Sequence, residues 1–180
     1  MIIGPKKLLQ IVKKSKLVSY LAERELTNPE GAGFDLRLGE VYTIDGGRAF
    51  LGVTERETPK LKQLAHHKTS KKKTVIFKPN QYYLVTTIEE VNVPPDVTVN
   101  LKPRTTTFRS GLFIRTGNVA PGYNGKLTFA LKNEGPLPVT VELGARIVHA
   151  QFSWVDGGGS MYRGQWQGGR VTTKKREKQV

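Results

Sequence analysis

From Val18 onward, apolar residues come in short runs broken by Gly, Pro and Asn, the spacing of strands joined by tight turns. Phe34-Asp35-Leu36-Arg37-Leu38 alternates apolar and polar positions, and residues 39–44 do so less cleanly. A period of two places successive side chains on opposite faces of a sheet. Asp45-Gly46-Gly47 signals a hairpin turn. Further strands are expected at residues 75–77, 82–88, 97–101, 111–115, 127–131, 139–143 and 147–154, with turns at Pro79-Asn80 and Val93-Pro94-Pro95-Asp96. Residues 54–73 are polar, end in Lys71-Lys72-Lys73, and predict a long loop. Only the N-terminus departs from this rhythm. Leu8, Leu9, Ile11 and Val12 share one face of a short helix, with Pro5 in its first turn and Lys6, Lys7, Lys13 and Lys14 on the wet side. Many short strands and one small helix predict an all-β fold, a distorted β-barrel or jelly-roll with a short N-terminal helix, rather than βαβ units. Residues 1–156 are expected to form a single β domain. Gly157-Gly158-Gly159-Ser160 then hinges a C-terminal arm and basic tail, residues 157–180.

The chain has 180 residues, enough for one domain with a core, and 37% of them are hydrophobic. No apolar run approaches the roughly 18 residues of a membrane span, so none is expected. The N-terminus has lysines but no apolar stretch behind them, which argues against a secretory signal. Cysteine is absent, which excludes disulfides and Cys-ligated metals and suits the cytoplasm. Lys and Arg number 29 against 15 Asp and Glu, a net charge of +14. Such an excess favours polyanions: nucleotides, nucleic acid or anionic lipid. Spread along the chain as it is, it also describes a heavily charged solvated surface.

The chemistry concentrates in one stretch. Pro103-Arg104-Thr105-Thr106-Thr107-Phe108-Arg109 sets two forked guanidiniums beside three hydroxyls, a good oxyanion receptor. It runs into a tight hairpin, Pro121-Gly122-Tyr123-Asn124-Gly125, and a strand whose apolar residues Leu127, Phe129 and Leu131 alternate with Lys126, Thr128, Ala130 and Lys132. No acid occurs from Gly111 to Asn133. The stretch is built to hold a phosphate, with no obvious group to do chemistry on it. His66-His67 lacks a third ligand, so no metal site is expected there, and His149 is expected to pack.

These pieces, in this order, resemble the dCTP deaminase/dUTPase family, and the dCTP deaminase branch more closely. Gly33-Phe34-Asp35-Leu36-Arg37-Leu38-Gly39 is similar to the family's first strand. Residues 103–109 are similar to its phosphate motif, where Arg-Ser-Ser is usual and Thr105 and Thr106 keep the hydroxyls. Residues 117–125 are similar to its base- and sugar-binding hairpin. Arg146-Ile147-Val148-His149-Ala150-Gln151 is similar to the later Arg-Ile-x-x-x-Gln motif, and Tyr162-Arg163-Gly164-Gln165 to the deaminases' closing arm. The resemblance implies a dUTPase-like distorted barrel, a homotrimer with sites between subunits, and a deoxynucleoside triphosphate substrate, dUTP or dCTP. Mg²⁺ would be held mainly through the substrate's phosphates.

By the same resemblance, Arg104, Thr105, Thr106, Arg109 and Gln151 would contact phosphate. Asn118 and Tyr123 would contact base and sugar, and Tyr162, Arg163 and Gln165, with Trp166, would close over the ligand. Two positions depart from the family. Ala130 stands where the deaminases carry a Glu that activates water, and Ala120 where the dUTPases carry an Asp that aligns it. Alanine does neither. The catalytic group is therefore unknown, with Arg109 as an electrostatic contributor. Asp35, Glu134 and Asp156 are the nearest acids by motif position, each with a structural role favoured. The expected function is binding and hydrolysis of a pyrimidine deoxynucleoside triphosphate. The alternatives are a catalytically silent nucleotide-binding or regulatory protein and, ranked last, a basic nucleic-acid-binding protein.

Overall fold

The structure is a computed structural model and describes residues 1–179. The predicted N-terminal helix forms as α1 (Pro5–Ser15). Pro5 starts it, Lys16 ends it in the left-handed conformation, and Lys13 and Lys14 sit favourably by its C-terminal dipole. Leu8 is fully buried, and Leu9, Ile11 and Val12 pack on the core from one side.

The alternating stretches become long strands. β1 (Val18–Ser19) and the one-turn helix α2 (Glu23–Thr27) precede β2 (Phe34–Ile44). The short strands β3 (Phe50–Leu51), β4 (Glu55–Glu57), β5 (Leu61–His66) and β6 (Thr74–Phe77) come next, and then β7 (Tyr82–Asn92) and β8 (Val97–Pro103). The short helix α3 (Thr105–Arg109) leads to β9 (Leu112–Arg115), β10 (Asn124–Asn133), β11 (Val139–Glu142), β12 (Arg146–Trp154) and finally β13 (Glu177–Lys178).

Eight strands form one antiparallel sheet along the path β8-β12-β2-β7-β10-β9, with β1 added on β7 and β5 on β2. A bridge between Val99 and Val119 ties the β8 side to the segment before β10, so the sheet nearly closes into a barrel. Inside, Phe34 and Phe152 meet edge to face with centroids 5.9 Å apart, and Phe77 and Tyr83 do so at 4.9 Å. The alternation on β10 holds: Leu127, Phe129 and Leu131 are buried, while Lys126, Thr128, Ala130 and Lys132 face outward.

Residues 54–73 are not one long loop. They hold β4 and β5, and a small sheet pairs β13-β4-β3. The expectation failed because β4 is Glu-Arg-Glu, with no apolar position to alternate, because three successive residues of β5 are exposed, and because one partner of β4, β13, lies about 120 residues away in the chain. The 105–109 stretch is a helical turn rather than an open one. Helix α2, five residues long, is too short to show a period. No helix among the described residues is long and apolar enough to cross a membrane.

Candidate functional site

The hairpin before β10 and the C-terminal arm enclose a cavity of about 470 Å³ on the outer face of the barrel. Tyr123 is buried, and its hydroxyl donates to the Lys126 carbonyl at 2.7 Å. Burial and the neighbouring Tyr162 push that hydroxyl up to about 12, so it stays protonated and works as a structural donor. The arm arrives through Gly157 and Gly158, both at positive φ. Its Tyr162 N–H donates to the Pro121 carbonyl at 2.7 Å, and the Tyr162 ring stands edge-on to Tyr123 at 5.3 Å. The Gln167 amide donates to the Gly122 carbonyl at 3.0 Å, and the Gly168 N–H to the Asn124 carbonyl at 2.8 Å. Gly125 makes this docking possible. At φ 128° it adopts a conformation that side chains avoid, and a Cβ there would collide with the Gly169 backbone nitrogen.

Asn118, Ala120 and Tyr123 of the hairpin, Thr128 of β10, and Tyr162 and Trp166 of the arm wall the cavity. Leu61 and Leu84 make its floor apolar. No Asp or Glu among the described residues lines it. Ala130 sits at its edge, in one cross-strand row with Leu84 on β7 and Arg115 on β9.

The residues expected to contact phosphate lie elsewhere. Asp35, on β2, is buried and gathers two guanidiniums and an imidazole. Arg104 Nε lies 2.8 Å away, Arg146 Nη1 3.0 Å and His149 Nδ1 3.0 Å. Burial alone would raise the Asp35 pKa; the His149 hydrogen bond and the charges of Arg104 and Arg146 outweigh it and hold the carboxyl below its ordinary value. Fully buried Glu25 backs the cluster, accepting the Asp35 N–H at 3.1 Å. Arg104 caps α3, on which Thr105, Thr106 and Arg109 are exposed, while Thr107 is buried and donates to the Ile147 carbonyl. Gln151 is half-buried on β12 opposite Asn100.

The structure thus brings Asn118, Tyr123 and Tyr162 together at the cavity, and none of the five residues expected to contact phosphate lines it. Arg163 is exposed, and Gln165 turns to Glu177 of the tail. Of the three acids nearest by motif position, Asp35 is locked among cations, and Glu134 and Asp156 are exposed.

Sequence reasoning missed two features. One is Arg170, which lines the cavity. The other is Glu40, 7% exposed, which takes Lys126 as an ion pair and accepts from Tyr42 and Gln63. Burial would raise the Glu40 pKa, but Lys126 and Tyr42 hold it below its usual range, while Tyr42 itself is pushed up to about 12. Alternation on β10 turns Lys126 outward, whereas a period of two from Phe34, Leu36 and Leu38 would put Glu40 on their own face; a register shift between Leu38 and Glu40 and the pairing of β2 and β10 with β7, which pattern does not give, make the two partners.

These carboxyls predict an acid limb. Asp35 and Glu40 have folded pKa values below those of the unfolded chain, which lie at about 4. Their stabilisation is complete above the unfolded value and is lost as pH falls through the folded one. Glu89 is raised by burial against the opposing pull of Arg37, so it acts in the opposite sense and blunts the loss. Urea midpoints should be flat between about pH 6 and 8 and fall below about pH 4. A midpoint that rises on acidification would contradict this balance.

The family model described as dCTP deaminase-like matches residues 2–154. The chain belongs to the dCTP deaminase-like family. It is 30% identical to a dCTP deaminase of Pyrococcus furiosus over 169 residues, covering 93% of this chain and 95% of that protein. It is 31% identical over 144 residues to a protein named dCTP deaminase, dUMP-forming, of Sulfurihydrogenibium sp., covering 79% of each. Among solved structures, the 2′-deoxycytidine 5′-triphosphate deaminase of Agrobacterium tumefaciens shares the fold with a TM-score of 0.63 at 17% identity. That match covers 84% of this chain and 47% of the other, so the chain spans about half of that deaminase. Family membership thus rests on the sequence, and the solved deaminase shares the fold.

Proposed function

We propose that the protein binds a pyrimidine deoxynucleoside triphosphate without deaminating it. The observation that carries this reading is the cavity walled by hairpin and arm, with an apolar floor, an aromatic roof and no lining carboxylate. Its volume of about 470 Å³ suits a base and sugar. Tyr123 and Tyr162 present ring edges and faces to such a ligand, and Asn118 offers polar groups at one end. The triphosphate would reach Arg104, Thr105, Thr106 and Arg109 of a second copy, since one protomer keeps its two half-sites apart. This division supports a homotrimer with shared sites.

The donor set of α3 is cationic and hydroxylic, which fits phosphate oxygens rather than a bare cation. Among the described residues, no three His, Cys, Asp or Glu side chains gather to hold a metal. Mg²⁺ therefore fits this chain only as a companion of the nucleotide, where it would neutralise phosphate charge. No carboxylate or imidazole lines the cavity to take a proton from water at the base.

Hydrolysis to a monophosphate is a second reading. It is favoured by the solvent-facing guanidinium of Arg109 beside Thr105 and Thr106, which would stabilise charge on a departing diphosphate.

Thermal shift with dCTP or dUTP and Mg²⁺ tests the binding. At about 100 times the dissociation constant the ligand should stabilise by about 2.7 kcal/mol. An Arg104→Ala/Arg109→Ala variant should lose most of that gain. Stabilisation by neither nucleotide would sink the reading, and ammonia release from dCTP would overturn its silent half.

A further inference from the structure

The end of the arm closes on a carboxylate of its own tail. Arg170 lines the cavity, its guanidinium carbon 6.0 Å from the Trp166 ring centre. The same guanidinium forks onto Glu177: Nη1 donates to Oε2 at 3.0 Å, and Nη2 to Oε1. The Gln165 amide donates to Oε2 at 2.7 Å, and the Lys174 N–H reaches Oε1 at 3.4 Å. Four donors thus converge on one carboxylate. Arg170 Nε, in turn, donates to the Thr172 carbonyl at 3.0 Å, which keeps the fork aimed.

An exposed Arg–Glu pair by itself contributes little. That accounts for Arg170 and Glu177 as a pair, but not for an amide and a backbone N–H directed at the same two oxygens. A forked guanidinium with a second donor recognises a carboxylate and a phosphate by the same geometry. The tail that delivers Glu177 is held at a few points, among them Arg176, which lies over the Phe50 ring at 4.2 Å and 3.9 Å from both Glu55 and Glu57. β13 pairs with only Arg56 and Glu55 of β4, the Gln179 N–H donates to the Thr54 carbonyl, and a small hydroxyl group of Thr58, Thr172 and Thr173 fastens the chain just before it.

We propose that Arg170 and Gln165 form an anion site at the cavity wall that takes a phosphate group, and that Glu177 is its built-in occupant. An arriving phosphate displaces the carboxylate, and the tail from Lys174 to Gln179 leaves β4. Ligand binding and tail docking are then competitive, with a coupling set by how much better the guanidinium binds phosphate than Glu177. The choice of phosphate rests on the nucleotide reading above; the site and its occupant do not.

The test uses the full chain with inorganic pyrophosphate as probe, read by calorimetry and by amide exchange across the tail. Glu177→Gln should bind pyrophosphate about tenfold more tightly than the native protein, because a charged competitor is gone. Tail amides should lose protection in that variant without ligand, and in the native protein on adding pyrophosphate. Adding Arg170→Gln to Glu177→Gln should abolish the gain. Unchanged affinity in Glu177→Gln overturns the proposal. So does a tail that stays protected at saturating pyrophosphate. A gain that survives in the double variant would place the anion on the Arg104 cradle and overturn it too. Thermal shift with dCTP separates the two readings: pyrophosphate displacing the tail while dCTP fails to bind leaves the anion site standing and sinks only the nucleotide reading.

Discussion

Ala130→Glu should raise ammonia release from dCTP by about 10²–10⁴ over the native protein, the usual contribution of a positioned acid–base group. Ala130 faces outward on β10, half-exposed, at the edge of the cavity. Leu84, its neighbour on β7, and Thr128, two residues earlier, both line that cavity. A glutamate introduced there would reach over the apolar floor toward any base held between Tyr123 and the arm. On its other side stands Arg115, directly opposite on β9, where cross-strand side chains come within about 5 Å. That guanidinium would keep the new carboxylate ionised and ready to accept a proton from water. Ala130→Gln is the control, matching size without basicity. Equal rates for the two variants would mean that the cavity does not hold dCTP in a reactive pose. Ala120→Asp addresses the other reaction in the same way, since Ala120 lines the cavity directly.

The barrel was legible because its long strands bury one face. Period-two alternation on β10 follows from that burial, and it placed Leu127, Phe129 and Leu131 inside. The same logic explains the failures. β3, β4 and β13 are two or three residues long and wet, so nothing in their composition reports them. Their pairing depends on a tail returning across the chain, a long-range contact with no local signature. The hairpin and the arm were legible as glycine-framed pieces, and the structure does bring Tyr123 and Tyr162 together. The role of Asp35 was not legible. Its partners come from two places, Arg104 from the start of α3 just after β8 and Arg146 and His149 from β12, and only the β2–β12 and β8–β12 registers bring them to one carboxylate. Arg170 escaped notice for a related reason. It looked like one more charge in a basic tail, and its place in the cavity wall depends on how Gly168 and Gly169, both at positive φ, turn the arm back onto Gly125.

Asp35→Ala should cost about 3–5 kcal/mol, the range for removing one partner from a buried ionic cluster. Asp35 is 5% exposed and is the acceptor that Arg104, Arg146 and His149 share. Without it, Arg146 retains only a distant contact with Glu25 at 3.9 Å. Two guanidiniums and the His149 ring would then face one another with little negative charge between them. Asp35→Asn keeps the volume and one acceptor oxygen, so it should cost less while still losing the charge. Urea unfolding at pH 7 measures both. The pH dependence makes the test specific. Because the folded Asp35 pKa lies below the unfolded one, the gap between native protein and Asp35→Ala should be widest above about pH 5 and shrink as pH falls through the folded value. A constant gap down to about pH 2 would assign the loss to packing instead of charge. Arg104 would also be released toward solvent beside Thr105 and Thr106, so Asp35→Asn should alter phosphate affinity as well as stability. A stability change without any change in nucleotide affinity would show that Arg104 serves the barrel rather than the ligand.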